Sequence, residues 1–339
     1  GSYKHKDAGF HKLQQRLGTG NADDIYSATI KLHPNILLPT RWGIKTPITF
    51  SYSNSIYTPK YHPGSDILTN GSNRNFDIEE IQTKNEKISV STNFSKSTRS
   101  SNWFIKRTLD NISLSYSAIK NNKSDSQISE QVKWDFQVSG SYNYNWSDEN
   151  YFSPFKFTKN WFFMGAILSD ARYYYTPDKL STKIKFNEND KMTIQRGSGT
   201  VTETYSFNMR REFLLNHKFT KTLGSTYNLQ IDSNLDKFKE NKWGIIQNMD
   251  PGIIEAITEK FTNTYKPDFM KWLNPEITFN PTYTWDLNKS SETNTADVKS
   301  YSKFGAKLGL NIPYFIELFY TPDKGKSARR GRGSRNSSS

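Results

Sequence analysis

The chain has 339 residues and a formal net charge of +13, with 14% aromatic residues but only 34% hydrophobic residues in all. Soluble domains usually carry about 45–50% apolar residues (a count that includes Gly), so an ordinary aliphatic core is excluded. No run approaches the ~18 apolar residues of a membrane helix, and the absence of Cys removes disulfides, thiolate metal sites and cysteine nucleophiles together.

Segments with period-2 alternation recur along the chain. The first covers residues 25–31. In the second, Ile44, Thr46, Ile48, Phe50, Tyr52 and Ile56 share one face, with Lys45, Thr49, Ser51, Ser53 and Ser55 on the other. Ile88, Val90, Thr92 and Phe94 mark a third strand, and Ile112, Leu114, Tyr116 and Ala118 a fourth. The most informative segment is 132–146. Val132, Trp134, Phe136, Val138, Gly140, Tyr142, Tyr144 and Trp146 alternate there with Lys133, Asp135, Gln137, Ser139, Ser141, Asn143 and Asn145. A usual strand is about 5–6 residues long. At about 3.4 Å per residue, Trp134 and Trp146 lie roughly 40 Å apart. With a tilt of about 45° they stand roughly 28 Å apart along a membrane normal, close to the ~25 Å apolar band of an outer-membrane barrel. Trp134 and Trp146 therefore read as membrane-interface aromatics. Lys133, Gln137, Ser139, Ser141, Asn143 and Asn145 read as lumen-facing. The competing reading is a long strand in a soluble sheet.

Residues 161–175 are apolar on both faces, so their register is open; Trp161 and Tyr173 near their ends are further interface candidates. Tyr205, Phe207, Met209, Arg211 and Phe213 alternate next, followed by Tyr227, Leu229 and Ile231. Ile277, Phe279, Tyr283, Trp285 and Leu287 follow, with Trp285 a fifth interface candidate, and Phe304 to Ile312 close the series. The sum is about ten or eleven long strands. Asn121-Asn122-Lys123-Ser124-Asp125, Asn187-Glu188-Asn189-Asp190 and Asn288-Lys289-Ser290-Ser291-Glu292 have turn and loop composition. Strands joined this way predict an all-β antiparallel meander. One short loop helix is expected near 251–264. Asp250 is a good N-cap, Pro251 suits the first helical position, and Ile253, Ile254, Ile257 and Phe261 fall on one face.

Residues 1–320 are thus expected to form part of a transmembrane β-barrel, and residues 321–339 a basic disordered tail. Residues 323–339 hold six basic residues against one acidic, +5 of the total charge. The chain opens without a signal peptide and does not end on an aromatic last strand, so it is expected to be an internal piece of something larger.

Sites of chemistry are not expected. The five histidines have no HxxxH or HxH spacing. Gly18-Thr19-Gly20 and Gly197-Ser198-Gly199 read as hairpin turns, not phosphate loops. Asp23-Asp24 and Glu79-Glu80 are adjacent pairs in loop composition, without the convergence that carboxylate catalysis needs. There is no GxSxG. The reading is therefore no enzyme, no catalytic residue, no metal and no cofactor. Aromatics among Lys and Arg also suit stacking on nucleic acid, but the ordered alternation favours a girdle, and no nucleic acid is expected.

Several strings resemble the SprA family. These are giant outer-membrane cell-surface proteins that form the translocon barrel of the type 9 secretion system in Bacteroidota, linked to gliding motility. The first string runs Tyr3-Lys4-His5-Lys6-Asp7-Ala8-Gly9-Phe10 with Leu13-Gln14-Gln15-Arg16-Leu17-Gly18-Thr19-Gly20-Asn21. The second covers 38–43, the strand 44–56, and Tyr57-Thr58-Pro59-Lys60-Tyr61-His62-Pro63-Gly64-Ser65-Asp66-Ile67. Pro154-Phe155 with residues 161–172, and residues 205–238, match less specifically. The resemblance implies a very large barrel in the outer membrane of a Gram-negative, Bacteroidota-like bacterium. Its lumen would pass exported cargo proteins. Its partners would be membrane lipid, cargo and other secretion-system subunits. Ten or eleven strands would be an arc of such a wall. Rival readings are another outer-membrane barrel (porin, lipopolysaccharide-assembly or TonB-dependent type) and a surface-exposed soluble β-protein such as an adhesin.

Overall fold

The computed structural model describes residues 1–7, 21–61, 68–69, 78–146, 150–157, 171–267, 272–288 and 295–320. Trp161, Gly18-Thr19-Gly20, residues 289–292 of the expected loop and residues 321–339 lie outside the described residues. The strands are β1 Ser2–Lys6, β2 Asn21–Leu32, β3 Ile44–Lys45, β4 Ile48–Pro59, β5 Thr83–Lys96, β6 Ile112–Ser124, β7 Ile128–Asn145 and β8 Tyr151–Phe152. They continue as β9 Tyr173–Tyr174, β10 Lys179–Gln195, β11 Val201–Lys218, β12 Leu223–Asn234, β13 Ile253–Tyr265, β14 Leu273–Asn288 and β15 Thr295–Leu310.

Twelve strands form one path, β1-β2-β4-β5-β6-β7-β10-β11-β12-β13-β14-β15. Each is antiparallel to the next, so the fold is the expected all-β meander. β3 pairs beside this path with β5, and β8 and β9 form a separate ladder. The sheet is open: among the described residues no pairing joins β1 to β15.

The registers keep one face continuous. Directly opposed residues of an antiparallel pair point the same way. Leu114 opposes Gly140, Gly140 opposes Ile184, Ile184 opposes Arg211, Arg211 opposes Ile231, Ile231 opposes Ile257 and Ile257 opposes Trp285. The neighbouring chain Phe50, Val90, Ala118, Phe136 does the same on the N-terminal side. A slip of one residue along a pair would turn one strand's apolar row over; among the described residues the register shifts only at bulges near strand ends, at Asp232 and Ser233 and at Ile194 and Gln195.

The expected helix near 251–264 is instead strand β13, Ile253–Tyr265. Two features produced its helical look. The Asp250 carboxylate accepts a hydrogen bond from Gly252 N at 2.8 Å, so it closes a turn at Pro251-Gly252 and caps no helix. A bulge opposite Asp232 and Ser233 then leaves Glu255 as an extra residue. Ile254 and Ile257, three apart, therefore reach the same face of a strand, and Phe261 follows by ordinary alternation. The helix in this region is the short Trp243–Gln247.

Two other departures concern polar composition. Asn187-Glu188-Asn189-Asp190, expected as a loop, sits in the middle of β10. Asn121 to Ser124 belong to β6, and only the next three residues turn. There the Asp125 carboxylate accepts from Gln127 N and Ile128 N at 2.9 and 2.8 Å. Asp23-Asp24 lies in β2 and Glu79-Glu80 in the short helix Ile78–Ile81. Gly197-Ser198-Gly199 is the β10–β11 turn, as expected, with Gly197 at φ 85° and Gly199 at φ 63°.

Long connections occur at both ends of the sheet. At the end nearer Trp146, residues 97–111 fold over the edge of β5. Lys96 donates to Asp110 and Ser100, and Asp110 also accepts from Ser100 N at 2.6 Å. Burial pushes the Asp110 carboxyl up, but the Lys96 and Ser100 bonds outweigh it and hold the carboxyl below the ordinary carboxylate range. Asp110→Ala strands a mostly buried ammonium and is expected to cost about 2 kcal/mol. The check is the temperature at which the folded band converts to the unfolded band on a semi-native gel; an unchanged temperature would remove the knot from the list of stabilising contacts.

Candidate functional site

The candidate site is the sheet itself, because its two faces differ chemically. The apolar face carries Ile30, Phe50, Tyr52, Ile88, Leu114, Tyr116, Trp134, Val138, Ile184, Phe279, Phe304 and Leu308, all exposed. Among the described residues the buried hydrophobic side chains are five: Ile81, Phe207, Met209, Leu235 and Phe238. A continuous apolar face of this extent marks a contact with lipid or with another layer of protein.

Trp134 and Trp146 fall at opposite ends of the β7 row. Trp134 stacks on Phe136 at 5.8 Å, and Lys120 Nζ stands 4.9 Å from its ring centroid. Asp190 opposes Trp134 from the other side. Charge thus appears on the apolar face beside Trp134, where the apolar row on β6 gives way to Lys120 and Asn122. At the other end Tyr142, Tyr144 and Trp146 form a run of ring contacts at 6.5 and 4.7 Å. Trp285 lies on the apolar face of β14, between Ile257 and Val298. Tyr173 is elsewhere. It belongs to the small β8–β9 ladder and packs on Phe152 and Phe155, so the long-strand register does not include it.

Lys133, Gln137, Ser139, Ser141, Asn143 and Asn145 all lie on the opposite face. Lys133 pairs with Asp135 at 3.0 Å on the same strand. Ser139 and Ser115 hydroxyls meet at 2.6 Å, Ser141 and Ser113 at 2.7 Å, and Ser181 donates to Asn143 Oδ1 at 2.6 Å. Thr49, Ser51, Ser53, Ser89, Ser91 and Ser117 share this face through the registers. The centre of the polar face, over β4 to β7, is therefore a neutral hydroxyl zone. Toward β10 the same face turns basic with Lys179, Lys183, Lys185 and Lys191.

Sequence reasoning placed a loop helix at 251–264 and so mislocated the segment that covers part of the apolar face. Between β12 and β13, residues 235–252 fold back onto β10 and β11 as a clip. Leu235 is fully buried and its N–H donates to Phe207 O at 2.7 Å. Asp236 Oδ1 accepts from Phe207 N at 2.6 Å. Phe238 and Ile245 then pack against Phe186, Tyr205, Phe207 and Met209. Glu188, on the apolar face, is 11% exposed under this clip and accepts from Lys242 Nζ at 2.6 Å and Tyr205 OH at 3.1 Å. The Glu188 charge, which helped make 187–190 look like a loop, is thus satisfied by Lys242 and Tyr205. The available signal was the flanking alternation Leu180, Ile184, Phe186, Met192 and Ile194.

Among the described residues no group of three or more His, Asp or Glu could hold a metal, and no helix is long and apolar enough to cross a membrane. His5 Nδ1 and Tyr3 OH meet Asp24 at 2.7 and 2.9 Å at the β1 edge, which fastens that short strand.

What fold and site define is a class, a single-layered antiparallel meander with one apolar and one hydroxyl-rich face. No family model and no curated protein matches the sequence. Among solved structures the chain is similar to the translocator domain of autotransporter NalP from Neisseria meningitidis. That likeness has a TM-score of 0.25 and 9% identity, over 86% of this chain and 82% of that one. At that level it carries no argument about function.

Proposed function

We propose that this chain is a wall segment of an outer-membrane β-barrel that serves as a protein-export channel, of the type 9 secretion, gliding-motility kind. The observation that carries the barrel reading is the single apolar face, kept in register across twelve strands and left uncovered over most of its area. In lipid every backbone N–H and C=O must be paired, which strands satisfy only when each has neighbours on both sides. The open edges at β1 and β15 then call for further strands in the assembled wall. The Trp134-to-Trp146 span supports a lipid-crossing length, and the residue strings at 3–21 and 38–67 support the type 9 assignment. Bacteroidota-like cells follow from the same strings.

In this reading the chain works as a wall and not as an enzyme. The hydroxyl zone holds water at the lumen surface and gives passing cargo few apolar contacts. Energy for export comes from partner subunits. The test is an immunoblot, with antibody to this chain, on soluble and outer-membrane fractions of the source cells. A membrane band several times larger than 39.2 kDa is expected. A membrane band near that mass would point to a self-contained barrel and end the export assignment, and a soluble band would end the membrane reading as well.

The clip supplies a pH prediction. Lys237 Nζ stands 2.5 Å from Asp250 Oδ2, and with the Gly252 N–H it holds the Asp250 carboxyl below the usual carboxylate range. A group whose pKa is depressed in the folded state contributes stability that is present above its unfolded value of about 3.9. That contribution is lost as pH falls through the folded value. Protection of 236–250 from protease is expected to hold from neutral pH to about pH 5 and to fall below about pH 4. Asp250→Asn should flatten that profile; an unchanged profile would show that the pair does not hold the clip.

A further inference from the structure

The clip covers one part of the apolar face and offers apolar groups of its own. Its helix Trp243–Gln247 turns Ile245 down onto the cluster of Phe207, Met209, Leu235 and Phe238. Gly244 lies against Phe238, where an added Cβ would stand 3.3 Å from the ring, so the helix rests flat on the layer below. The residues turned outward are Trp243, Ile246 and Met249, which are 72%, 67% and 89% exposed. A fold that spends buried contacts on holding a segment in place, and then leaves Trp, Ile and Met exposed on it, needs something apolar to receive them.

Three lysines surround this apolar tip, and each lies over a ring. Lys237 Nζ is 4.9 Å from the Phe238 centroid, Lys239 Nζ 4.6 Å from Tyr205 and Lys242 Nζ 5.7 Å from Phe136. Lys237 and Lys242 also pair with Asp250 and Glu188, which leaves a mixed set of rings and basic groups of the kind found at a membrane–water boundary. The clip also stands beside the Trp134 row, since Phe136 and Val138 line the apolar groove of about 270 Å³ beneath Ile245 and Ile246. The outward residues and the groove are thus continuous with the face read as lipid-facing.

We propose that the clip at 235–252 is a lipid-interface anchor. Trp243, Ile246 and Met249 enter the interfacial layer of the bilayer at the Trp134 end, the groove, which the paired Glu188 and Lys242 border on one side, takes part of an acyl chain, and Lys239 meets an anionic headgroup. The clip pairs Glu188 with Lys242 and lays an amphipathic surface over it. This inference rests on the wall reading, and its test separates the two.

The chain has no Cys, so an introduced cysteine is the one labelling position in this segment, and labelled membranes with the unaltered protein give the background to subtract. Met249→Cys and Leu114→Cys are made in the full-length protein in its native outer membrane and labelled with an environment-sensitive fluorophore. The isolated membranes are then fused with phosphatidylcholine carrying a nitroxide near the headgroup or deep in the chain. Met249→Cys is expected to show blue-shifted emission, with the shallow nitroxide causing the larger loss. Leu114→Cys, in mid-sheet, is expected to lose more to the deep one. Lipid quenching at 114 with water-like, unquenched emission at 249 would overturn the anchor and leave the wall. Blue-shifted emission at 249 that neither nitroxide quenches would also overturn it, in favour of a protein partner. Absence of lipid quenching at 114 would overturn the wall itself.

Discussion

Leu114→Arg destabilises the assembled sheet by about 2–4 kcal/mol, whereas Ser115→Arg, one residue along, stays within about 0.5 kcal/mol. Leu114 lies on the apolar face, opposite Gly140 and midway between the Trp134 and Trp146 rows. Its Cδ2 fills the space above Gly140, at 3.3 Å from where a Cβ would stand. Arginine there puts a charge on the apolar face with no polar group to receive it, unlike Arg211 of the same row, which donates to Ser233 Oγ at 2.8 Å. Ser115 points the other way, and its exchange loses one hydroxyl contact with Ser139. Asn122→Arg tests depth on the same face. Asn122 lies beyond Lys120, and its amide already donates to Glu86 at 3.2 Å, so the cost there should be about 0–1 kcal/mol. The readout is the amount of heat-modifiable folded protein in the outer-membrane fraction. Equal losses at 114 and 115 would mean that the two faces are not in different solvents.

Gly252→Val releases the clip, by about 2–5 kcal/mol from two separate penalties. Gly252 has φ 74°, and a branched side chain in the left-handed region costs about 1–2 kcal/mol. Its new Cβ would also stand 2.4 Å from Asn234 O and 2.5 Å from Leu235 Cδ2, and overpacking of this kind costs about 1–3 kcal/mol. Neither neighbour can give way: one is backbone of β12 and the other is a fully buried side chain. Gly197→Val separates the two terms. Gly197 has φ 85° but nothing within 4 Å of an added Cβ, so only the conformational cost applies. Limited proteolysis should therefore cut 236–250 quickly in Gly252→Val and at the unaltered rate in Gly197→Val. Equal rates in both would mean that close packing at Asn234 and Leu235 does not fix the clip.

The alternation at 132–146 told the truth about β7 because every second residue there is apolar and no bulge interrupts it. Its two candidate rows, Trp134 with Trp146 and Lys133 to Asn145, lie on opposite faces as the period requires. The same logic failed wherever a distant segment alters what a strand tolerates. Glu188 and Asp190 hid β10, because nothing nearby in the chain announces that Lys242 and Tyr205 reach Glu188. The 254, 257, 261 spacing suggested a helix because a bulge at Glu255, which only pairing with β12 creates, shifts the alternation by one. Tyr173 reads as an interface residue because Tyr173-Tyr174-Tyr175 ends an apolar run, whereas its pairing partner Phe152 lies across a connection.

By itself the sequence determined the class of fold. Period-2 patterning with few aliphatics leaves only half of each strand apolar, and polar turns between strands make neighbours antiparallel. It also determined that the two faces would differ, since side-chain direction in a strand follows from backbone geometry alone. The tertiary structure decided the register, the open edges at β1 and β15 and the clip over Glu188. These depend on which segments meet across distances of tens of residues, where a bulge, a buried ion pair or a left-handed glycine changes the outcome and leaves no local trace in composition.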